Sequence, residues 1–331
     1  MSTSHAPAIR ATGLRKSFGT HVVLDGIDLT VERGTVFALL GPNGAGKTTT
    51  VQILSTLISA DAGDVRVADH DLATEPDAVR AAIGVTGQFS AVDALLTGAE
   101  NLLLMADLHH LDRKQGRIRA RDLLERFDLV EAAGKPVATY SGGMRRRLDL
   151  AMGLVGSPRI VFLDEPTAGL DPRSRQTMWQ IVRDLVADGV TIFLTTQYLD
   201  EADHLADRIA VLDHGTLVAE GTAAELKRLI PGGHVSLQLA NADALGAAAL
   251  AFGEAAVNAD QLTIQVPCES STTALRALLD RIDAAAVAVD TLSVHSPDLD
   301  DVFLALTDRP GERASTAPPA STATRIKETL R

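Results

Sequence analysis

One segment of the chain has the residue types and spacing of a phosphate-binding loop. It runs from Gly41 to Thr48 and reads GPNGAGKT, which matches the P-loop pattern. Its glycines let backbone N–H groups converge on phosphate, Lys47 can reach the β- and γ-phosphates, and the Thr48 hydroxyl can ligate magnesium. The segment therefore predicts nucleotide binding, and its plain alternative is a glycine-rich turn.

Two carboxylates, Asp164 and Glu165, directly follow the apolar run from Ile160 to Leu163. Such a run predicts a buried strand, which would hold Asp164 rigidly. Beside a P-loop, Asp164 can complete a magnesium shell, and Glu165 can orient and polarise an attacking water. An acidic pair at a strand end is commonly just solvated, so the prediction of nucleotide hydrolysis depends on the P-loop.

A third segment, YSGGM from Tyr140 to Met144, places Ser141, Gly142 and Gly143 at the start of a predicted helix over residues 145–155. The N-terminus of a helix attracts anions, because its free N–H groups and its dipole both favour negative charge. The segment thus predicts a second anion site. The three arginines at 145–147 are interpreted as solvated charges on a helix face.

The elements that must position these segments follow from the apolar pattern. Alternation and turn signals predict short strands over residues 8 to about 37, and the strand Val36 to Leu40 then runs into the P-loop and a helix from Lys47. Strand, loop and helix in this order are the context that a P-loop requires. Periodicity predicts a helical subdomain at about 90–157, and apolar strands at 160–163 and 190–194 predict a parallel sheet.

The character of the chain changes after about residue 228. Alternating runs near Val235, Leu262 and Val287, with helical stretches between them, predict a small α/β domain over 229–307. The larger domain is expected at 8–228. Pro, Ser, Thr and Ala dominate residues 308–331, which predicts a disordered tail.

Composition excludes several classes of partner. A net charge of −12 argues against a nucleic-acid groove and against docking on anionic lipid, so membrane association is expected through a protein. The single cysteine, Cys268, excludes an internal disulfide and fits a reducing cytosol. Residues 1–11 show no secretory signal, and the longest apolar run, Ala244 to Phe252, is far shorter than the roughly 20 residues that span a bilayer.

The three segments, in this order and spacing, resemble the ATP-binding cassettes of ABC transporters over about residues 8–225. The resemblance implies an α/β P-loop NTPase fold with a mostly parallel sheet core, an N-terminal antiparallel β-subdomain and a helical subdomain that carries the signature. The small C-terminal α/β domain is then an accessory domain, interpreted as a stabilising appendage. The implied cofactors are ATP and Mg²⁺.

The resemblance also implies roles for single residues. Phe18 stands where the family places an aromatic that stacks on adenine, and Gln88 matches the loop glutamine that touches magnesium and relays nucleotide state to the membrane subunit. The signature Ser141-Gly142-Gly143 would bind the γ-phosphate of ATP held by the opposite subunit, and Asp171 lies in the loop that crosses the dimer interface. The implied ATP contacts are Phe18, Gly41, Pro42, Asn43, Gly44, Ala45, Gly46, Lys47, Thr48 and Thr49, the implied metal ligands are Thr48, Gln88 and Asp164, and the implied catalytic residues are Glu165, Gln197 and Lys47.

One position departs from the family pattern. Gln197 replaces the histidine that is usual at the switch position. An amide can still hydrogen-bond a γ-phosphate or the water, but it cannot titrate near neutral pH. Glu165, not Gln197, is therefore predicted to dominate turnover.

Three segments narrow the resemblance to the ATP-binding subunits of daunorubicin/doxorubicin-resistance-type exporters. They read YSGGMRRRLD at 140–149, TTQYLDEAD at 195–203 and LDDVFLALT at 299–307. The resemblance implies a homodimer on ATP binding, held at the cytoplasmic face of the membrane by two copies of a separate permease, which exports a hydrophobic, anthracycline-type drug. The open alternatives are a lipid, polysaccharide or peptide exporter, a soluble ABC ATPase acting on ribosomes or DNA, and a regulatory module that binds ATP without turnover.

Overall fold

A computed structural model describes residues 6–88, 91–230, 233–253, 255–268, 272–295 and 297–307. The predicted tail at 308–331 lies outside the described residues. Within these ranges, no helix combines the length and the apolar character needed to cross a membrane.

The N-terminal part supplies an antiparallel sheet and the first strands of the central sheet. Its elements are β1 (Ile9–Phe18), β2 (His21–Val31), β3 (Val36–Leu40), α1 (Lys47–Leu54), β4 (Ala62–Val67), β5 (His70–Asp71), α2 (Pro76–Ala82) and β6 (Ile83–Thr86). The antiparallel sheet has the order β2-β1-β4-β5. Every residue of β3 is buried, as expected for a central parallel strand.

A helical region follows. It contains α3 (Gly98–Leu108), α4 (Arg113–Arg126), short 3₁₀ helices at Val130–Ala132 and Val137–Thr139, and α5 (Gly142–Gly153). Thr97 and Glu100 form a reciprocal capping box that fixes the start of α3. The Tyr140 hydroxyl donates to the Ala132 carbonyl at 2.7 Å, which holds the buried ring just before α5.

The chain then returns to the central sheet. The elements are β7 (Ile160–Asp164), α6 (Pro172–Ala187), β8 (Thr191–Thr196), α7 (Leu199–Leu205), β9 (Arg208–Asp213), β10 (Thr216–Gly221) and α8 (Ala223–Lys227). The six strands have the order β10-β9-β3-β8-β7-β6, with every pair parallel except β9 and β10. The carboxyl ends of β3 and β7 therefore lie at one edge, with the end of β8 between them.

The C-terminal part has a sheet and a core of its own. Its elements are β11 (His234–Leu239), α9 (Ala242–Ala251), β12 (Ala256–Asn258), β13 (Thr263–Pro267), α10 (Thr272–Ala284), β14 (Val289–His295) and α11 (Leu299–Thr307). The antiparallel sheet order is β12-β13-β11-β14. Helix α11 packs elsewhere, because Leu299 and Val302 are buried in the core that includes the central sheet, beside α7 and α8.

Candidate active site

The P-loop lies between the end of β3 and the start of α1, in the setting that the sequence predicted. Gly44 and Gly46 have φ values of 83° and 110°, which favour glycine. A Cβ on Gly46 would lie 2.6 Å from the Cδ2 atom of Leu24. The loop therefore needs glycine at this position for both its backbone angle and its packing.

Lys47 is a buried cation, with a side chain that is 5% exposed. Its Nζ atom donates to the carbonyls of Gly41 and Pro42 at 2.8 and 3.1 Å, and it lies 3.7 Å from the Glu165 carboxylate. Burial lowers the pKa of Lys47, while the charges of Glu165 and Asp164 oppose that shift. The ammonium group is thus held at the loop where a phosphate would bind.

Asp164 is the last residue of β7 and is buried. The Thr48 hydroxyl donates to its Oδ1 atom at 3.4 Å, and the Thr195 hydroxyl donates to the same oxygen. The structure thus brings together a carboxylate and a P-loop hydroxyl, as the sequence predicted. Hard oxygen ligands of this kind suit Mg²⁺.

Glu165 adopts a left-handed backbone conformation, with a φ of 48°. Its N–H donates to the carbonyl of Thr195 at 3.1 Å. Non-glycine residues rarely occupy this region, and such strain is commonly found at active sites. The turn leaves the side chain only 10% exposed, beside Lys47.

P-loop residues and Glu165 line one cleft with a volume of about 400 Å³. Its lining residues are His21, Val23, Asn43, Gly44, Gly46, Lys47, Thr48, Thr49, Gln88 and Glu165. His21 and Val23 are not identifiable from the sequence, because nothing in their residue types marks them and only the fold of the β1–β2 hairpin brings them here. Phe18 is 52% exposed and pairs with His21 across that hairpin, with the Lys16 ammonium 5.4 Å from its ring centre.

The signature segment lies in a different cleft. Ser141 caps α5, and its Oγ atom accepts from the Met144 N–H at 3.2 Å. This second cleft, of about 220 Å³, is lined by Asp128, Ser141, Gly143, Met144, Arg147, Arg173, Ser174 and Thr177. None of these residues lines the P-loop cleft, so one chain does not bring its two predicted anion sites together.

The two remaining predicted residues stand at the ends of elements. Asp171 caps α6, where its carboxylate accepts from the N–H and the hydroxyl of Ser174, and these hydrogen bonds lower the pKa of Asp171. Gln197 follows β8, the strand that neighbours β3. The carbonyl of the preceding Thr196 accepts from the Gly41 N–H at 3.3 Å, which places the start of the P-loop beside the end of β8.

The interpretation of the arginines at 145–147 as solvated is wrong for two of them. The side chains of Arg146 and Arg147 are only 11% and 17% exposed. Arg147 donates to the Phe127 carbonyl at 2.8 Å, and Arg146 donates to carbonyls near Asp164. Their charge predicted that these side chains are exposed to solvent. They are instead partly buried, because carbonyls from distant parts of the chain accept their hydrogen bonds.

Comparison with known proteins places this site in a family. The family described as "ABC transporter" matches residues 24–168. The chain is 49% identical over 302 residues to a daunorubicin resistance ATP-binding protein of Streptomyces coeruleorubidus, covering 91% of this chain and 96% of the relative. The chain belongs to the ABC transporter ATP-binding family. It is therefore an ATP-binding and ATP-hydrolysing subunit of an ABC transporter.

Other relatives agree with this assignment. A daunorubicin/doxorubicin resistance ATP-binding protein of Streptomyces peucetius is 45% identical, with 96% of this chain and 97% of the relative covered. A linearmycin resistance ATP-binding protein of Bacillus subtilis is 32% identical, with 91% and 98% covered. The predicted resemblance of this cassette to the daunorubicin/doxorubicin-resistance ATP-binding proteins is thus confirmed.

Solved structures confirm the predicted fold class. The ATP-binding subunit of an ABC transporter matches with a TM-score of 0.61 at 27% identity, covering 67% of this chain and 92% of the other. A cassette in its ADP conformation gives a TM-score of 0.61 at 25% identity, with 67% and 93% covered. The cassette is thus an α/β nucleotide-binding fold.

Proposed function

We propose that this cassette energises the export of a hydrophobic, anthracycline-type drug through a separate membrane-spanning permease. The observation that carries the proposal is the length of the alignments to drug-resistance relatives. They span 302 and 326 residues, too long to lie within residues 8–228 alone, so they include the C-terminal region. The relatives and this cassette thus share more than the ATPase core.

One relative favours a second candidate. A Nod factor export ATP-binding protein of Ralstonia nicotianae is 41% identical, but over 220 residues and 66% of this chain. That length is no greater than the cassette domain itself. Export of a lipid, polysaccharide or peptide is therefore the alternative, with less of the chain in its support.

The proposed hydrolysis uses groups that the fold already holds together. Lys47 binds the β- and γ-phosphates, and Glu165 orients a water and accepts its proton as the water attacks the γ-phosphate. The bond between the γ-phosphorus and the β–γ bridging oxygen breaks, so ADP leaves with the negative charge that Lys47 stabilises, and the water oxygen stays on the inorganic phosphate. Gln197 follows the strand beside the P-loop and can donate a hydrogen bond to the γ-phosphate without exchanging a proton.

The oxygen groups where β7 ends beside α1 fit magnesium. Thr48 and Asp164 supply adjacent hydroxyl and carboxylate oxygens, and Gln88 lines the same cleft. Bound magnesium would neutralise negative charge on the phosphates. Within the chain, Thr195 shares the Asp164 oxygen and so fixes the direction of that carboxylate.

We also propose that ATP closes two cassettes into a homodimer. The signature and the P-loop line separate clefts of one chain, and Ser141 and Gly142 are exposed at the N-terminus of α5. The signature of one subunit would then bind the γ-phosphate held by the other, and Asp171 would lie at their interface. Two permease copies would hold the pair at the cytoplasmic face of the membrane.

Membrane vesicles containing the cassette and its permease test the transport. We expect ATP-dependent daunorubicin uptake into inverted vesicles, and loss of uptake with Glu165→Gln as the control. Uptake of lipid or oligosaccharide without drug uptake would favour the second candidate.

The proposed dimer has a separate test. Ser141→Arg should abolish the cooperativity of ATP hydrolysis. A Hill coefficient equal to that of the unmodified cassette would contradict the shared site.

A further inference from the structure

Arg146 occupies an unusual position next to the predicted catalytic turn. Its Nε atom donates to the carbonyl of Pro166 at 2.9 Å. Its Nη2 atom donates to the carbonyls of Asp164 and Glu165 at 2.9 and 3.2 Å. Three successive carbonyls therefore converge on one guanidinium that belongs to α5, the helix that begins at the signature.

The Nη1 atom of Arg146 points to a second region. It donates to the Gly87 carbonyl at 2.7 Å and to the Asp149 carboxylate at 3.3 Å. Asp149 is buried, and its other oxygen accepts from the Ala91 N–H at 3.1 Å. Gly87 and Ala91 lie on either side of Gln88, so the pair of Arg146 and Asp149 anchors the backbone on both sides of that residue.

The guanidinium is thus saturated, because each of its five N–H donors has an acceptor. Burial lowers the pKa of Arg146, and the charge of Asp149 is the largest influence that opposes the shift. An arginine fork has a fixed geometry, so moving one acceptor disturbs the bonds to the others. A lysine or a water could not bridge the same five groups.

The strained turn explains why such a support is needed. Glu165 has a φ of 48°, and this conformation persists only if the surroundings hold it. The carbonyls on both sides of the Glu165 Cα belong to the set that Arg146 binds. The direction of the Glu165 side chain therefore depends on Arg146.

We propose that Arg146 is a positioning residue that directs the Glu165 carboxylate and couples it to the backbone around Gln88. The proposal rests on the proposed role of Glu165 as the base. A displacement of the Gln88 region by a membrane partner then reaches the catalytic turn through a single side chain. Hydrolysis becomes sensitive to the permease without any contact between the permease and Glu165.

Steady-state ATPase and nucleotide binding by the full-length chain test this role. For Arg146→Met we expect kcat to fall about 10- to 100-fold, because loss of the support lets the base leave its productive direction. The Kd for ATP should stay within about twofold, since the P-loop bonds are untouched. The magnesium concentration for half-maximal activity should rise several-fold, because the backbones of Asp164 and of Gly87, which precedes Gln88, are both released.

Two variants separate positioning from general loosening of the helix. Arg119→Met removes a part-buried arginine of α4 that donates to the Leu154 carbonyl at the other end of α5, and it should leave kcat and the magnesium dependence unchanged. Arg146→Lys should recover part of kcat, because an ammonium group can make at most three of the five bonds. Fluorescence of Trp179, the single tryptophan, reports whether each variant is folded.

Three results would overturn the proposal: a kcat of Arg146→Met within twofold of the unmodified chain, an equal loss in Arg119→Met, or an unchanged magnesium dependence. If Arg146→Met does not fold, Arg146→Lys replaces it, and a kcat there equal to that of the unmodified chain is equally contradictory, because the ammonium group cannot make all five bonds. Failure of the proposed function looks different, because Glu165→Gln would then retain full activity or the unmodified chain would hydrolyse no ATP.

Discussion

Glu165→Gln is the substitution with the largest expected effect on turnover. It exchanges one carboxylate oxygen for an amide group of the same size and keeps the backbone N–H bond to Thr195 at 3.1 Å. The amide cannot accept a proton from water. General-base catalysis contributes roughly 10²- to 10⁴-fold, so we expect kcat to fall by that factor, which is about 3–5 kcal/mol of activation free energy.

ATP binding should survive the same change. The Glu165 carboxylate lies 3.7 Å from Lys47 Nζ, and both side chains are nearly buried. Glutamine removes a negative charge beside the site for the γ-phosphate, so the Kd for ATP should stay equal or decrease. The pKa of Lys47, already lowered by burial, should fall further because the opposing charge of Glu165 is lost.

Phosphate release at saturating MgATP measures the first effect, and titration with a fluorescent ATP analogue measures the second. Glu225→Gln is the matched control, because Glu225 is exposed and its role in the capping box of α8 accepts a glutamine. Its kcat should stay within about twofold. Turnover by Glu165→Gln above one tenth of the unmodified rate would refute the assignment of the base.

Three further substitutions test other parts of the structure. Lys47→Ala should weaken ATP binding roughly 10- to 100-fold in calorimetric titrations, because a charged hydrogen bond contributes about 1.5–3 kcal/mol. Gly46→Ala should lower the free energy of unfolding in urea by about 1–3 kcal/mol, because its φ is 110° and the new methyl group would meet Leu24. Burial raises the pKa of Glu201 above its ordinary value of 4.5, so the folded chain keeps a proton that the unfolded chain loses, and stability falls as the pH rises above 4.5. Glu201→Gln stays neutral and should therefore have the higher melting temperature at pH 8, with the difference shrinking toward pH 4.5.

Each of these predictions has a contrary result. Unchanged calorimetric affinity in the lysine variant would mean that Lys47 does not contact phosphate. A Gly46 variant as stable as the unmodified chain would show that the loop relaxes without cost. A pH-independent difference in melting temperature for the Glu201 variant would mean that its carboxyl does not bind a proton on folding.

The sequence predicted the contiguous parts of the site because their chemistry is local. A strand, a glycine loop and a helix follow one another from Val36, and the strand that ends at Asp164 carries its carboxylates with it. The parallel sheet then brings the two strand ends to one edge. The short segments thus identified Lys47 and Glu165 as site residues, and the sheet placed them 3.7 Å apart.

Residues whose partners are far away in sequence could not be read in this way. Arg146 lies in a run of three arginines and has the composition of a solvent-exposed helix face. Its acceptors include Gly87 and Pro166, 59 and 20 residues away, and no periodicity encodes such a pairing. The packing of α11 also could not be predicted from the sequence. Its apolar face shows that Leu299 is buried, but not which of the two cores buries it.

The sequence by itself determined the fold class, the P-loop, the acidic strand end and the signature helix, since backbone geometry and residue type within short segments decide each of them. The tertiary structure alone decided that the signature and the P-loop line separate clefts of one chain. It also decided that the nearly buried Arg146, together with Asp149, joins the turn at Glu165 to the backbone on either side of Gln88. Contacts between distant segments form only when the sheet and the helical region pack, so the spacing of residues along the chain does not predict them.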